Sequence, residues 1–144
     1  MGLSFDIAAL RKTAGEKMFA RGETYFEEGS VEVVGVDPRR IVARVFGTQT
    51  YGVELARQAK GFAGHCSCPA FADWDVCKHM IALALWGNAA DPGEIEAAQE
   101  RWARLRAPLL ALDHEALVEM VIRLMLADPE ALDAAEDGNY AMSP

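Results

Sequence analysis

The sequence predicts an α+β fold in which N-terminal helices precede a small antiparallel β-meander, and a C-terminal helical segment follows it. Two observations lead to this prediction. The first is a series of short β-rich runs divided by turn residues, and the second is the helical spacing of apolar residues on both sides of that series. The runs cover residues 31–36, 41–46, 51–55 and 62–66. Because the connections between them are short, neighbouring strands are expected to pair antiparallel.

The two N-terminal helices have recognisable ends in the sequence. Ser4 is in position to cap the first helix, and Gly15 marks its expected end. The second helix is predicted over residues 16–28 and is closed by Gly29, since glycine readily adopts the left-handed conformation that ends helices. Both helices therefore precede the first strand.

A metal-ligand pattern lies between the last strand and the next helix. It contains all three cysteines of the chain and one of its three histidines, in the spacing C-x-C, eight residues, C-x-H. The four predicted ligands are Cys66, Cys68, Cys77 and His79. Three thiolates and one imidazole complete a tetrahedral donor set for Zn²⁺. Cys66 and Cys68 point to the same side of an extended strand, whereas His65 points to the opposite side, so His79 is the expected fourth ligand.

The residues around the second half of this pattern predict a helix with Cys77 at its start and His79 in its first turn, ending near Gly87. The positive end of that helix would favour the thiolate form of Cys77. In the loop before it, Phe71 and Trp74 have two interpretations. Either at least one of them packs over the metal site and keeps water from the sulfurs, or they are exposed anchors for a partner.

The ligand pattern resembles the SWIM zinc finger, which this sequence matches at all four ligand positions. The resemblance covers roughly residues 45–90. The stretch R-G-x-x-Y-x-x-x-G, from Arg21 to Gly29, is similar to one often seen upstream of bacterial SWIM fingers, and it is also explained by a helix surface that ends in a glycine cap. The resemblance implies a zinc-stabilised binding module that contacts protein or nucleic acid.

Three segments are predicted along the chain. Residues 1–90 contain the N-terminal helices, the β-meander and the metal site. Residues 91–137 form a helical C-terminal extension, and residues 138–144 form a flexible tail. The chain is thus one small domain with a helical appendage.

The extension contains three predicted helices. The first covers residues 94–106 and is ended by Pro108, and the second covers residues 114–127 and is capped by Asp113. A short third helix begins at Pro129. Because the second helix has only a narrow polar stripe, it is expected either to pack in the domain core or to form a contact with a second copy of the chain or another partner.

Charge is distributed unevenly along the chain, whose formal net charge is −8. Residues 1–65 carry nine basic and eight acidic side chains, a balance of +1, whereas residues 66–144 carry five and fourteen, a balance of −9. Non-specific binding of nucleic acid requires clustered basic residues, so an acidic chain is poorly suited to it. A protein is therefore the expected partner.

One group of basic residues keeps nucleic acid open as the alternative partner. Its members are Arg39, Arg40, Arg44, Arg57, Lys60 and Lys78. They lie on or beside the predicted strands and the metal-site helix, where they could receive a phosphate backbone. They are also explained as solvated sheet edges and turns, because no aromatic residues alternate with them as stacking platforms.

Composition and motifs also bear on compartment and activity. An odd number of cysteines favours a reducing compartment, and the sequence has no signal peptide or long apolar run, so a cytoplasmic location away from membranes is expected.

A zinc hydrolase or deaminase needs an open metal position and a general base, and the H-x-E signature is absent. The chain is therefore expected not to be an enzyme and to have no small-molecule substrate. A thiol-based redox sensor is a further alternative.

Overall fold

The computed structural model describes residues 4–57, 62–72 and 76–138, and its α+β architecture confirms the predicted fold class. In chain order the elements are α1 (Ile7–Ala14), α2 (Glu16–Glu27), β1 (Val31–Val36), β2 (Arg40–Phe46), β3 (Thr50–Arg57), β4 (Phe62–Cys66), a 3₁₀ turn (Pro69–Ala72), α3 (Lys78–Ala89), α4 (Pro92–Leu110), α5 (His114–Leu126) and α6 (Pro129–Glu136). Among these described helices, none combines the length and apolar character that a membrane-spanning segment needs.

The four described strands form an antiparallel sheet in the order β1-β2-β3-β4, as the short connections predict. Ile41 of β2 lies opposite Val36 of β1 and Leu55 of β3. Along β2 the buried residues alternate with half-buried or exposed ones, which is the pattern of a sheet with one face against the core. Cys66, the last residue of β4, is likewise buried.

The central helix α3 packs against the sheet, and α2 packs against α3. Most of α3 is buried, which accounts for its nearly continuous apolar sequence. The largest fully buried apolar side chains are Leu10, Ile41, Val45, Leu55, Met80, Ile81 and Leu83. Each such side chain contributes about 1.5–3 kcal/mol by leaving water. The metal-ligand pattern thus continues into α3, which has more buried residues than any other described helix.

The contact between α2 and α3 depends on Gly22. A Cβ at this position would overlap the side chain of Ile81 and would lie 3.0 Å from the backbone oxygen of Lys78. Only glycine lets the two helices approach this closely. Seven residues later, Gly29 follows the end of α2 with φ of 71°, a conformation that favours glycine. Both glycines of the R-G-x-x-Y-x-x-x-G stretch therefore have a structural reason.

Two predicted helix ends are wrong. The N-cap of α1 is Asp6 and not Ser4, because the Asp6 carboxylate accepts a hydrogen bond from the backbone N–H of Ala9 at 3.0 Å. Pro108 does not end α4, which continues to Leu110. Since Pro108 lies in the last turn, its missing N–H removes a single hydrogen bond of a helix that is about to end.

Contacts divide the chain into two compact units, Met1–Arg104 and Leu105–Pro144. The division falls within α4, whereas the segments drawn from the sequence meet between residues 90 and 91. The part of α4 in the first unit is anchored by the buried side chains of Ile95 and Ala98. The indole of Trp102 contacts Gly35 of β1, where a Cβ would overlap the ring. Of the predicted tail, residues 139–144 lie outside the described residues.

The second unit contains α5 and α6, and the predicted Asp113 cap of α5 is confirmed. The carboxylate of Asp113 accepts a hydrogen bond from the Ala116 N–H at 2.8 Å, and that of Asp128 accepts one from the Ala131 N–H. No residue of α5 is buried. Its exposed large apolar side chains are Val118, Met120, Val121, Ile122, Leu124 and Leu126. Within the part of the chain that the structure describes, α5 therefore has no buried core position, and a contact with a second copy or a partner stays a prediction.

Candidate metal centre

The four predicted ligands meet where β4, the 3₁₀ turn and α3 join. Their ligand atoms all lie within 4.8 Å of one another, and all four side chains are buried. Cys66 ends β4, Cys77 is the N-cap of α3 with extended backbone, and His79 lies in the first turn of that helix. The position of Cys77 and His79 on the helix is the one predicted. We call this group the Cys3His cluster.

The spacing of the cluster fits a tetrahedral metal ion. His79 Nδ1 lies 3.6 Å from Cys66 Sγ and 3.8 Å from Cys77 Sγ. With metal–sulfur distances of about 2.3 Å and metal–nitrogen distances of about 2.0 Å, a regular tetrahedral site has nitrogen–sulfur edges of about 3.5 Å. The cluster could therefore bind a metal ion with His79 Nδ1 facing the metal.

The backbone around the cluster is arranged to stabilise thiolates. Each sulfur accepts a hydrogen bond from a backbone N–H: Cys66 from Cys68, Cys68 from Phe71, and Cys77 from Met80. Hydrogen bonds to the charged form of an acid favour that form, and such contacts hold metal ligands in place. The donor from Cys68 lies just before the 3₁₀ turn, that from Phe71 lies in the turn, and that from Met80 lies in the first turn of α3, so the backbone of these three segments orients the sulfurs.

The pKa values of the three cysteines are shifted in different directions. A hydrogen bond from Cys66 lowers the pKa of Cys77, and contacts with His79 and Met80 lower it further against the effect of burial. The same hydrogen bond, together with burial, raises the pKa of Cys66. Burial and the charge of Cys77 raise the pKa of Cys68. The lowered pKa of Cys77 agrees with the prediction, and its largest cause is the Cys66 hydrogen bond.

Two tyrosines that the sequence analysis did not assign to the site pack on His79. The ring of Tyr51 lies 4.5 Å from the imidazole, and that of Tyr25 lies 5.1 Å away in an edge-on arrangement. Within the described residues, the buried Nε2 atom of His79 has no hydrogen-bond partner. Tyr25 is the tyrosine of the R-G-x-x-Y stretch, so that stretch could have indicated that Tyr25 belongs to the site. No motif in the sequence indicates the same for Tyr51.

The other residues weighed for the site lie apart from the ligand set. His65 is exposed on β4 and is not a member of the cluster. Its ring contacts that of Phe71, with 5.1 Å between their centroids, and Phe71 is half-buried against the core. Trp74, the second aromatic residue considered as a cover for the metal, lies outside the described residues.

Two of the six basic residues predicted to contact nucleic acid are held in ion pairs on the sheet. Arg40 Nη1 lies 3.1 Å from Glu54 Oε1, and its guanidinium also approaches Asp37. Arg44 Nη2 lies 2.6 Å from Glu32 Oε2. These contacts neutralise charge that a phosphate backbone would need.

The side chains of two of the four remaining members of the basic group lie within the described residues. Arg39 is exposed in the turn between β1 and β2. Lys78 is half-buried at the start of α3, with its Nζ atom 5.2 Å from the centre of the Tyr25 ring. The side chain of Arg57 and the whole of Lys60 lie outside the described residues. Contact of these six residues with nucleic acid therefore stays a prediction.

The fold and the cluster define an α+β domain with a buried Cys3His group that could bind a metal ion. In comparisons with known proteins, no family model, no curated protein and no solved structure matches the chain. Membership in the SWIM family therefore stays a prediction, which depends on the four ligand positions and on the order of strands, cluster and helix.

Proposed function

We propose that the protein is a zinc-binding module of the SWIM type whose metal is structural. The observation that supports this most strongly is the convergence of four buried donor atoms within 4.8 Å of one another. Three sulfurs and one imidazole nitrogen are the donor set of structural zinc sites, whereas carboxylate and carbonyl oxygens suit magnesium and calcium. The backbone N–H groups that face the sulfurs support the same proposal, because neutral thiols would not need them.

A structural role follows from the coordination number. The protein itself supplies four ligands, so a tetrahedral ion has no position for a reactive water, as a catalytic zinc requires. The ion would tie the end of β4 to the start of α3, the central helix. Binding of structural zinc supplies about 10–16 kcal/mol in small zinc-dependent domains, which is comparable with the entire stability of an ordinary domain. We therefore propose a binding module and not an enzyme.

We propose further that the module is an adaptor that contacts another protein. The net charge of −8 disfavours a polyanionic partner. The ion pairs of Arg40 and Arg44 with acidic neighbours reduce the charge that the sheet offers to phosphates. Nucleic acid remains the alternative partner, and it is tested by titrating labelled duplex DNA at increasing salt. Contacts with phosphates would weaken binding steeply between about 50 and 200 mM salt.

Elemental analysis and a pair of histidine variants test the zinc proposal. Purified protein is expected to contain one zinc ion per chain, and His79→Ala is expected to lose it. The matched control is His65→Ala, since His65 lies nearby on β4 but outside the cluster. Removal of zinc with a chelator, followed by circular dichroism, is expected to unfold the region around α3. Full structure and unchanged thermal stability without metal would contradict a structural role.

A further inference from the structure

A small cavity lies beside the Cys3His cluster. Its volume is about 220 Å³, and its wall includes two of the four ligands, Cys68 and His79. The rest of the wall is mostly apolar or aromatic and is formed by Met18, Tyr51, Pro69 and Ala70, together with the basic residues Arg21 and Lys78. The cavity thus combines an apolar lining with two positive charges on neighbouring helices, α2 and α3. We call it the Arg21–Lys78 pocket.

The two cations of this pocket have no ion-pair partner among the described residues, whereas four described arginines do. Arg11 and Arg101 are paired with Glu16 and Glu32, and Arg40 and Arg44 of β2 are paired with Glu54 and Glu32. Among the described residues, no acidic side chain forms an ion pair with Arg21 or with Lys78. Lys78 instead lies over the ring of Tyr25. Both charges therefore remain available to an anionic group that enters the cavity.

The size of the pocket limits what can enter. Drug-sized ligands occupy about 300–1,000 Å³, whereas a water molecule takes about 30 Å³ of liquid. A volume of about 220 Å³ therefore matches one side chain or one terminal residue better than a nucleoside or a larger ligand. Because most of the lining is apolar, the entering group needs an apolar part as well as its charge.

The charge of the ligand follows from the neighbouring cluster. Zn²⁺ bound by three thiolates carries a net charge of −1, and two ligands of that cluster belong to the pocket wall. The two cations outweigh this charge by one unit. A singly charged carboxylate matches that balance, whereas a doubly charged phosphate exceeds it. Arginine also offers two parallel donors that fit a carboxylate.

We propose that the Arg21–Lys78 pocket binds a carboxylate attached to a small apolar group, as at the C-terminal residue of a protein partner. This inference depends on the proposed function, because the charge balance requires the bound zinc. It identifies the chemistry by which the adaptor recognises its partner. The guanidinium of Arg21 and the ammonium of Lys78 hold the carboxylate, while Met18, Pro69 and Ala70 contact its apolar part.

Titration of the ¹⁵N-labelled, zinc-loaded full chain with N-acetyl-leucine tests the proposal by NMR. Saturable shifts of the Lys78, Ala70 and Tyr51 amides are expected, with a dissociation constant on the order of 1–10 mM for so small a ligand. The neutral N-acetyl-leucinamide is expected to leave these amides unshifted. Inorganic phosphate is expected to bind more weakly than N-acetyl-leucine. A further probe, the α-amide of N-acetyl-aspartate, tests whether the carboxylate of an acidic side chain can replace the terminal carboxylate.

Charge-removing variants assign the binding to the pocket. Arg21→Gln and Lys78→Met are each expected to raise the dissociation constant about tenfold or more, since each removes a charge-assisted hydrogen bond. The matched control is Arg39→Gln, which removes the same charge from an exposed turn outside the pocket and is expected to have no effect. Zinc content is measured first for every variant, and Arg21→Gln alone decides the question if Lys78→Met does not fold.

The outcomes separate this inference from the zinc proposal. One zinc per chain without saturable N-acetyl-leucine binding would overturn the pocket and leave the zinc-binding module intact. Equal binding of N-acetyl-leucinamide, tighter binding of phosphate, or unchanged binding by Arg21→Gln and Lys78→Met would also overturn it. A chain that binds no zinc would overturn both proposals. Tighter binding of the aspartate probe would retain the carboxylate and identify an acidic side chain as its source.

Discussion

Replacing Gly22 by alanine is expected to force apart the helices α2 and α3. The added Cβ would lie 2.6 Å from Cβ of Ile81 and 3.0 Å from the backbone oxygen of Lys78. Ile81 is fully buried, so its side chain has no free space into which to turn. Overpacking of this kind costs about 1–3 kcal/mol, and the better helix propensity of alanine returns about 1 kcal/mol. The expected net loss of unfolding free energy is therefore up to about 2 kcal/mol, and the nearby backbone oxygen of Lys78, which cannot turn aside, favours the upper end of that range.

Urea unfolding of the zinc-loaded protein, followed by circular dichroism, measures this loss. The matched control is Gly93→Ala in the first turn of α4, where the nearest atom is Oδ1 of the exposed Asp91 at 3.2 Å. That variant is expected to change stability by no more than about 0.5 kcal/mol, or to increase it. A Gly22→Ala protein as stable as the wild type would refute the close contact between α2 and α3.

Two further predictions concern polar contacts. Asn88→Ala is expected to cost about 1–3 kcal/mol, because the Asn88 amide accepts from the N–H of Phe5 and donates to its carbonyl oxygen, both at 2.8 Å. Asn88→Asp keeps the acceptor but places a carboxylate oxygen against the Phe5 carbonyl oxygen, so it should cost at least as much in the same urea assay. Partial burial raises the pKa of Asp37, but hydrogen bonds from the backbone of Arg39 and Arg40 and the Arg40 charge lower it more, so its net pKa lies below its usual value. The stabilisation by ionised Asp37 is therefore present above about pH 4 and is lost as the pH falls through the lowered pKa. The stability difference between wild type and Asp37→Asn should stay constant from pH 8 to about 5, and a change within that range would contradict this assignment.

Most helices and all four strands were predictable because their signals are local. Gly15 and Gly29 end helices through backbone conformations that other residues adopt at a cost, and Asp113 caps α5 through its own carboxylate. The wrong predictions involved competing local signals. Ser4 and Asp6 are both good caps, and the sequence does not show which one the chain uses. Pro108 breaks a helix interior but is tolerated in a last turn.

The ligand set was equally predictable, because cysteines are few and soft donors at this spacing have a specific chemistry. The residues that surround the cluster could not be predicted from the sequence. The approach of Tyr51 to His79 joins a strand to a helix, and the bonds between Asn88 and Phe5 join residues 83 positions apart. Contacts of this kind depend on the direction of each side chain across two packed elements, which local sequence does not encode.

By itself, the sequence determined the α+β class, the bounds of most elements and the four ligands of the candidate metal centre. The tertiary structure decided which residues surround that centre, which cations are neutralised by acidic neighbours, and where the Arg21–Lys78 pocket forms. The physical reason is the separation along the chain of the residues that interact. Helix caps, turns and strand alternation are decided within a few residues, whereas the packing of α2 on α3 brings Arg21 and Lys78 together across more than fifty positions of the chain.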